Sequence, residues 1–150
     1  MLRFAVFALL VAVASANRYS QILGVVEGVV PCGSKGEVLQ VRVTDCTSVP
    51  CTIIKGQTYQ IEVDFKPSAA HTELDVLVSV ITEGKETRVV DETLPAVVSP
   101  GNAYTLAYPW TVRGDFNGLV ALHIQLQGNG IIELCGLATA IVRESITIIR

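Results

Sequence analysis

Residues 58–65 read TYQIEVDF, a stretch in which polar and apolar side chains alternate at every position. In an extended chain the apolar side chains share one face, which consists of Tyr59, Ile61, Val63 and Phe65. The residues between them are polar and fall on the opposite face. This alternation is typical of a β-strand with one face in a core and the other in water.

Five further runs have the same character. They read EVLQVRV (37–43), ELDVLVSVI (73–81), AYTLAYPWTV (103–112), GLVALHIQLQ (118–127) and GLATAIV (136–142). Turns rich in glycine separate these runs, and no helix-length segment with a 3.6-residue period follows residue 16. The pattern predicts an all-β fold, an antiparallel β-sandwich. A lipocalin-like barrel is the nearest alternative, disfavoured because the only tryptophan, Trp110, lies far from the N-terminus.

The N-terminus is expected to be a secretory signal peptide of residues 1–16. Arg3 precedes the apolar run FAVFALLVAV, which is too short to span a bilayer and is followed by the small residues Ala14-Ser15-Ala16. Residues 17–150 are then expected to form a single domain with a net charge of −4, because Arg3 leaves with the signal. This acidic balance and the lack of a basic run disfavour nucleic acid as a partner.

The four cysteines are expected to form disulfides, because a secreted chain matures in an oxidising compartment. Three pairings are possible for Cys32, Cys46, Cys51 and Cys135. The short loop with Pro50 favours Cys46 with Cys51, which leaves Cys32 for Cys135. The spacing does not fit the two close pairs that structural zinc prefers, so no metal is expected.

The pattern also argues against an enzyme. Sixteen inward positions on the four most regular strands are all aliphatic or aromatic, so no buried acid or base is expected. We interpret His123 as a solvated strand residue, His71 as a surface loop residue, and Asp91 and Glu92 as part of a polar loop. No catalytic residue and no cofactor is therefore predicted.

The apolar inner face has two possible uses. Tyr104, Tyr108 and Trp110 fit a filled core as well as the wall of a cavity, because aromatic side chains bury large areas in either. Periodicity alone does not distinguish the two, and on the residues alone a filled core is favoured.

Three segments together resemble the ML lipid-recognition family, which includes the Niemann-Pick type C lysosomal sterol carrier and the group 2 mite allergens. They are PCGSKGEVLQVRVTDCTSVPCTIIKGQTYQIEVDF, YTLAYPWTV and LHIQLQGNGIIELCGLATAIV. The resemblance covers residues 32–143. It implies an immunoglobulin-like sandwich of two antiparallel sheets with an apolar cavity between them, and it implies the same two disulfides, Cys32 with Cys135 and Cys46 with Cys51.

The resemblance further implies a lipid-binding site on the inner face. Its wall is expected to consist of Val63, Phe65, Val78, Val80, Leu106, Tyr108, Trp110, Leu122 and Ile124.

The implied function is that of a secreted lipid carrier. It would hold a sterol or a fatty acyl chain, in the extracellular space or the endolysosomal lumen, without stable membrane insertion. The alternative is an immunoglobulin-like structural or receptor-binding module with a filled core. The chain departs from the family by lacking a third disulfide in the segment DETLPAVVSPGN, and residues 144–150 extend beyond the usual end.

Overall fold

The computed structural model describes residues 23–145, which form ten β-strands. Their bounds are β1 Leu23–Val25, β2 Val30–Pro31, β3 Glu37–Thr44, β4 Cys51–Ile54, β5 Thr58–Lys66, β6 His71–Thr82, β7 Lys85–Val98, β8 Tyr104–Thr111, β9 Gly118–Gly128 and β10 Ile131–Arg143. No part of this range forms a helix capable of crossing a membrane. The expected signal peptide and residues 146–150 lie outside the described residues.

The strands form two sheets, which confirms the predicted β-sandwich. The first sheet has the order β1-β3-β5-β8, and the second has the order β2-β10-β9-β6-β7. Neighbours on these paths are antiparallel. One pair departs from the prediction, because β4 adds to β10 in parallel.

The core lies between the sheets and contains the alternating residues that the sequence places inward. All sixteen predicted inward side chains are buried or half-buried. Val80 and Val112 are fully enclosed, whereas Ile61 and Leu106 remain half-exposed. The alternation therefore identifies the inner face correctly, although enclosure varies along it.

The segment around Asp91 and Glu92 is a strand, so its interpretation as a polar loop is wrong. Both residues lie in β7, where their side chains are exposed. The segment was missed because Asp, Glu and Pro are rare in strands. Since β7 is an edge strand, Pro95 can lie within it without removing a hydrogen bond from an interior ladder.

On one side of the sandwich the chain crosses between the sheets at every connection from β1 to β5, and two disulfides lie among these crossings. Residues 26–29 lead from β1 to β2, just before Cys32, which is bonded to Cys135 in β10. Residues 45–50 lead from β3 to β4, and the Cys46–Cys51 disulfide closes this crossing. Both bonds join the pairs that the sequence favours. We call this the stapled side.

The opposite side is bounded by the edge strands β7 and β8. Within the described range, β7 pairs only with β6 and β8 pairs only with β5, so no backbone ladder joins the two sheets there. We call this the open side. The segment DETLPAVVSPGN lies here, in β7 and the turn that follows it.

His71 is buried at the start of β6, so its interpretation as a surface loop residue is wrong. Its ring is almost fully enclosed, and its Nε2 lies 2.7 Å from Oε1 of Glu133, which is completely buried. Glu133 also accepts hydrogen bonds from the backbone N–H groups of Ser68 and Ala69 and from the Ser68 hydroxyl. A buried carboxylate thus fastens the β5–β6 connection to β10.

A β-bulge turns Glu133 towards this site. The register between β10 and β9 shifts between Ile132 and Leu134, which leaves Glu133 as the extra residue. Two glycines provide the space: a Cβ on Gly36 would lie 2.9 Å from Glu133 Oε2, and one on Gly128 would lie 2.4 Å from His71 Nδ1. Strand periodicity does not reveal such a residue, because a bulge interrupts the alternation.

Glu133→Gln should lower the free energy of unfolding by about 2–4 kcal/mol at pH 7, because it removes the charged partner of four donors, one of which is the buried ring of His71. Burial raises the pKa of Glu133, but the hydrogen bonds from His71, Ser68 and Ala69 outweigh it and lower the pKa overall. The carboxylate therefore stabilises the fold above the usual glutamate pKa. This contribution disappears as the pH falls through the lowered pKa.

Urea denaturation between pH 7 and pH 3 measures this effect. The difference between the wild type and Glu133→Gln should shrink on acidification, whereas the exposed Glu73→Gln serves as a control with a small effect throughout. A Glu133→Gln variant as stable as the wild type at pH 7 would contradict the assigned role.

Candidate functional site

An apolar cavity of about 60 Å³ lies between the sheets near the stapled side. Val43 and Tyr59 contribute from the first sheet, and Leu122 and Leu134 from the second. Trp110, which is buried, forms part of the same wall. Val26 and Val29, from the crossing between β1 and β2, close its end.

A second cavity, of about 30 Å³, adjoins the first. Both share the side chains of Ile61, Val63, Ile124 and Leu134, so only these residues separate the two spaces. The lining of the second cavity also includes Val78 from β6, and Leu106 and Tyr108 from β8.

A groove of about 390 Å³ lies on the open side, between the edges of β7 and β8. Phe65 and Leu74 form its floor, and residues 94–98 and 104–107 form its walls. Leu106 borders both this groove and the second cavity. The three spaces thus form a row from the open side into the interior.

Eight of the nine predicted wall residues line this row. The innermost cavity is lined by Val63, Trp110, Leu122 and Ile124. The second cavity is lined by Val63, Val78, Leu106, Tyr108 and Ile124. The groove is lined by Phe65 and Leu106. Val80 is the exception: it is fully enclosed by its neighbours and lines none of the three spaces.

The sequence reasoning missed wall residues from β3 and β10. Val41 and Val43 line the innermost cavity, and their alternation in EVLQVRV was the available signal. Leu134 lines both inner cavities but follows the Glu133 bulge, so its orientation does not follow from a simple alternation. Ala138 was missed because a small side chain gives a weak apolar signal.

A polar contact bridges the two sheet edges on the open side. The Tyr108 hydroxyl on β8 donates a hydrogen bond of 2.8 Å to Oε2 of Glu92 on β7. Burial, followed by this hydrogen bond and the charge of Glu92, raises the pKa of Tyr108 to about 12. The hydroxyl therefore stays protonated at neutral pH and remains a donor.

A second tyrosine anchors the turn between the same two strands. The Tyr104 hydroxyl accepts a hydrogen bond of 3.1 Å from the backbone N–H of Ser99. Hydrogen bonds from the side chain and backbone of Ser99 lower the pKa of Tyr104. This contact holds the end of β7 near the start of β8 without linking the middle of the two strands.

Among residues 23–145, no charged side chain lines the three spaces. Their polar lining residues are Thr105, Gln125 and Thr139, together with the hydroxyl-bearing Tyr59, Tyr104 and Tyr108. The buried pair of His71 and Glu133 lines none of them. The arrangement offers mainly apolar surface and shape. It is suited to holding an apolar molecule.

Comparison with known proteins supports the fold. No protein-family model and no curated protein matches the chain. A crystal structure of a Niemann-Pick type C2 protein from the Japanese carpenter ant superposes with a TM-score of 0.68. It is 11% identical in sequence, and the match covers 77% of this chain and 99% of that chain.

Two more distant structures have TM-scores below 0.5. The CARDB domain of a Pyrococcus furiosus protein has a TM-score of 0.41 at 14% identity, covering 73% of this chain and 97% of that chain. A β-glucosidase from Listeria innocua has a TM-score of 0.46 at 12% identity, covering 77% of this chain and only 17% of that chain. Neither bears on function.

The chain therefore has the fold of a Niemann-Pick type C2 protein. This confirms, at the level of the fold, the resemblance based on the cysteine spacing and the strand motifs.

Replacing Tyr108 by Phe and Glu92 by Gln, singly and together, should reveal coupling between the two sheet edges. Tyr108→Phe should lower the free energy of unfolding by about 1 kcal/mol, because it removes a hydrogen bond to a charged acceptor at a partly exposed site. The double variant should cost less than the sum of the single variants. Urea denaturation of the four proteins measures this coupling, and strictly additive effects would exclude the bridge.

Proposed function

We propose that this protein is a secreted lipid carrier that holds a single sterol or fatty acyl chain between its two sheets. The observation that carries the proposal is the row of apolar spaces that begins at the open side and ends beside Trp110. Eight residues of its wall belong to the inward face that the sequence alternation predicts. The shared fold with a Niemann-Pick type C2 protein supports the same function.

The ligand binds by widening this row. Binding pockets for small molecules usually measure about 300–1,000 Å³, whereas the two inner cavities measure about 60 and 30 Å³. Separation of β7 from β8 enlarges them at little cost, since no backbone ladder joins these strands. The two disulfides keep the stapled side together meanwhile.

The driving force for binding is apolar. A ligand that buries on the order of 300 Å² of apolar surface gains about 7–8 kcal/mol before the costs of association. Against this, opening breaks the hydrogen bond between Tyr108 and Glu92, which contributes about 1 kcal/mol. Since the wall offers almost no polar partner, selectivity among lipids is loose.

No catalytic step and no cofactor belong to this function. Two disulfides suit an oxidising compartment, which for this proposal is the extracellular space or the endolysosomal lumen. The partner is a small hydrophobic lipid, and neither nucleic acid nor stable membrane insertion is involved.

The small volume of the inner cavities favours the alternative function. In that case the chain is an immunoglobulin-like structural or receptor-binding module, and the cavities are packing defects of a filled core. The two functions predict different results when lipid is added: the fluorescence of the inner wall changes for a carrier and stays constant for a filled core.

Trp110 provides a direct test, because it is the only tryptophan and lies on the innermost wall. Dehydroergosterol or cis-parinaric acid, added to lipid-stripped protein, should quench the Trp110 emission with saturation. Each probe absorbs where tryptophan emits, and the ligand would lie within a few ångström of the indole. The far-ultraviolet circular dichroism should stay that of a β-protein throughout.

Trp110→Phe is the control for this titration, because it removes the signal and leaves an aromatic wall. Energy transfer to the probe should then vanish while probe fluorescence still reports binding. A flat Trp110 titration with sterols, fatty acids and phospholipids would support the filled-core module instead.

Leu106→Asp tests the path into the interior. Leu106 borders both the groove and the second cavity, so a carboxylate there opposes the passage of an apolar chain. Lipid affinity should fall at least about tenfold, equivalent to about 1.4 kcal/mol, while the fold persists because Leu106 is only half-buried. Leu119→Asp makes the same change at an exposed residue and should bind lipid normally. Equal affinity of the two variants would place the path elsewhere.

A further inference from the structure

The two disulfides have different polar surroundings. Sγ of Cys135 lies 3.3 Å from Nε2 of His123, and the side-chain amide of Gln125 points at the same sulfur from 3.9 Å. Sγ of Cys46 instead faces the carbonyl oxygen of Ser48 at 3.5 Å. Within residues 23–145, no side-chain donor approaches either sulfur of the Cys46–Cys51 bond.

His123 is itself held by a carboxylate. Its Nδ1 lies 3.1 Å from Oε1 of Glu86 on β7, and this hydrogen bond is the first cause of the lowered pKa of Glu86. An ionised carboxylate only accepts, so Nδ1 carries a proton and donates it to Glu86. Protonation of Nε2 then gives an imidazolium whose second N–H points at Cys135.

The two sulfurs of this bond also differ in access. Cys135 is buried in β10, whereas Cys32 lies in a solvent-accessible segment after β2. Next to Cys32, the space that a side chain on Gly33 would occupy has no atom within 4 Å. Cys32 is therefore the more accessible of the two cysteines to an incoming thiol.

We propose that Cys32–Cys135 is a thiol–disulfide exchange site, in which His123 stabilises Cys135 as the leaving thiolate. The co-reactant is a small thiol or an accessible protein thiol. This inference goes beyond the proposed lipid binding and does not depend on it.

The exchange proceeds through two successive attacks by thiolates. A thiolate attacks Sγ of Cys32, a new S–S bond forms between them, and the Cys32–Cys135 bond breaks. The bonding electron pair leaves with Cys135 as a thiolate, which accepts the N–H of His123 or its proton. A second thiolate then attacks the mixed disulfide, so that Cys32 and Cys135 are reduced while two co-reactant thiols are oxidised to a disulfide.

The placement of the donors explains why this bond is the reactive one. A leaving thiol departs faster when its thiolate is stabilised, and an imidazolium beside the sulfur provides that stabilisation. The side chains of His123 and Gln125 face the buried sulfur of Cys135, whereas Cys32 lies in the solvent-accessible segment. This arrangement directs the attack to Cys32. Opening the bond unties Cys32 from Cys135, while the backbone hydrogen bonds from Val26 to Val41 and from Glu27 to Thr47 remain.

The experiment compares the two disulfides of the same folded chain. The wild-type protein is incubated with excess glutathione at neutral pH, samples are quenched with N-ethylmaleimide, and peptides are mapped by mass spectrometry. Cys32–Cys135 should open about tenfold faster than Cys46–Cys51. The first adduct should carry glutathione on Cys32 and the maleimide on Cys135.

Three variants test the role of the side chains. His123→Leu should slow the opening of Cys32–Cys135 about tenfold and leave Cys46–Cys51 unchanged. Glu86→Gln should slow it less, because His123 remains but loses its charged partner. Asp91→Asn removes another exposed carboxylate of β7, one that pairs with Arg88, and should have no effect.

Each outcome bears on the proposal. Equal opening rates for the two disulfides, a first adduct on Cys135, or an unchanged rate in His123→Leu would overturn it. If circular dichroism shows that His123→Leu does not fold, the wild-type comparison and the exposed Glu86→Gln decide the matter. If lipid probes quench Trp110 normally but Cys32–Cys135 opens no faster than Cys46–Cys51, only the exchange site is rejected. If Cys32–Cys135 opens faster but no lipid probe quenches Trp110, only lipid binding is rejected.

Discussion

The unequal joining of the two sheets governs the behaviour of this sandwich. On the stapled side, the Cys46–Cys51 disulfide closes the crossing from β3 to β4, and the Cys32–Cys135 disulfide ties the segment after β2 to β10. On the open side, the described chain joins β7 to β8 only through the turn at 99–103 and through side chains. A structure joined in this way resists complete separation but yields along one edge. The contact between Tyr108 and Glu92 is the principal polar contact there, and its energy is within the range that an apolar ligand can offset.

The space between the two sheets is incompletely packed, because two cavities lie within it. Cavities cost stability because the side chains around them lose dispersion contacts. The Glu133 site compensates at a different place, where a fully buried carboxylate satisfies donors from the β5–β6 connection and His71. The polar cluster and the apolar row are kept apart, so that no charge faces the cavities.

Sequence reasoning predicted the inner face of the sandwich but not its polar exceptions. In TYQIEVDF the hydrophobic alternation fixes which side chains point inward. Seven of the nine predicted wall residues line an inner cavity, and Phe65 lines the groove. Alternation does not report the distance between the sheets, so neither the small inner volumes nor the enclosure of Val80 was predictable. The β7 strand was missed because its acidic and proline residues are tolerated only at an edge. His71 was misread because its partner, Glu133, is 62 residues away and lies at a bulge.

The position of β10 also determines when this protein can become native during its synthesis. β10 pairs with β2, β4 and β9, and it carries both Cys135 and Glu133. When a ribosome has made only the first hundred residues, β2 and β4 lack their partner strand, Cys32 lacks Cys135, and the donors of Ser68 and Ala69 lack their acceptor. Only Cys46–Cys51 can close early. Completion of the last described strand therefore supplies the missing partners of β2, β4, Cys32 and the β5–β6 connection together. Until then the apolar faces of the β1-β3-β5 and β6-β7 ladders stay uncovered and open to misassembly.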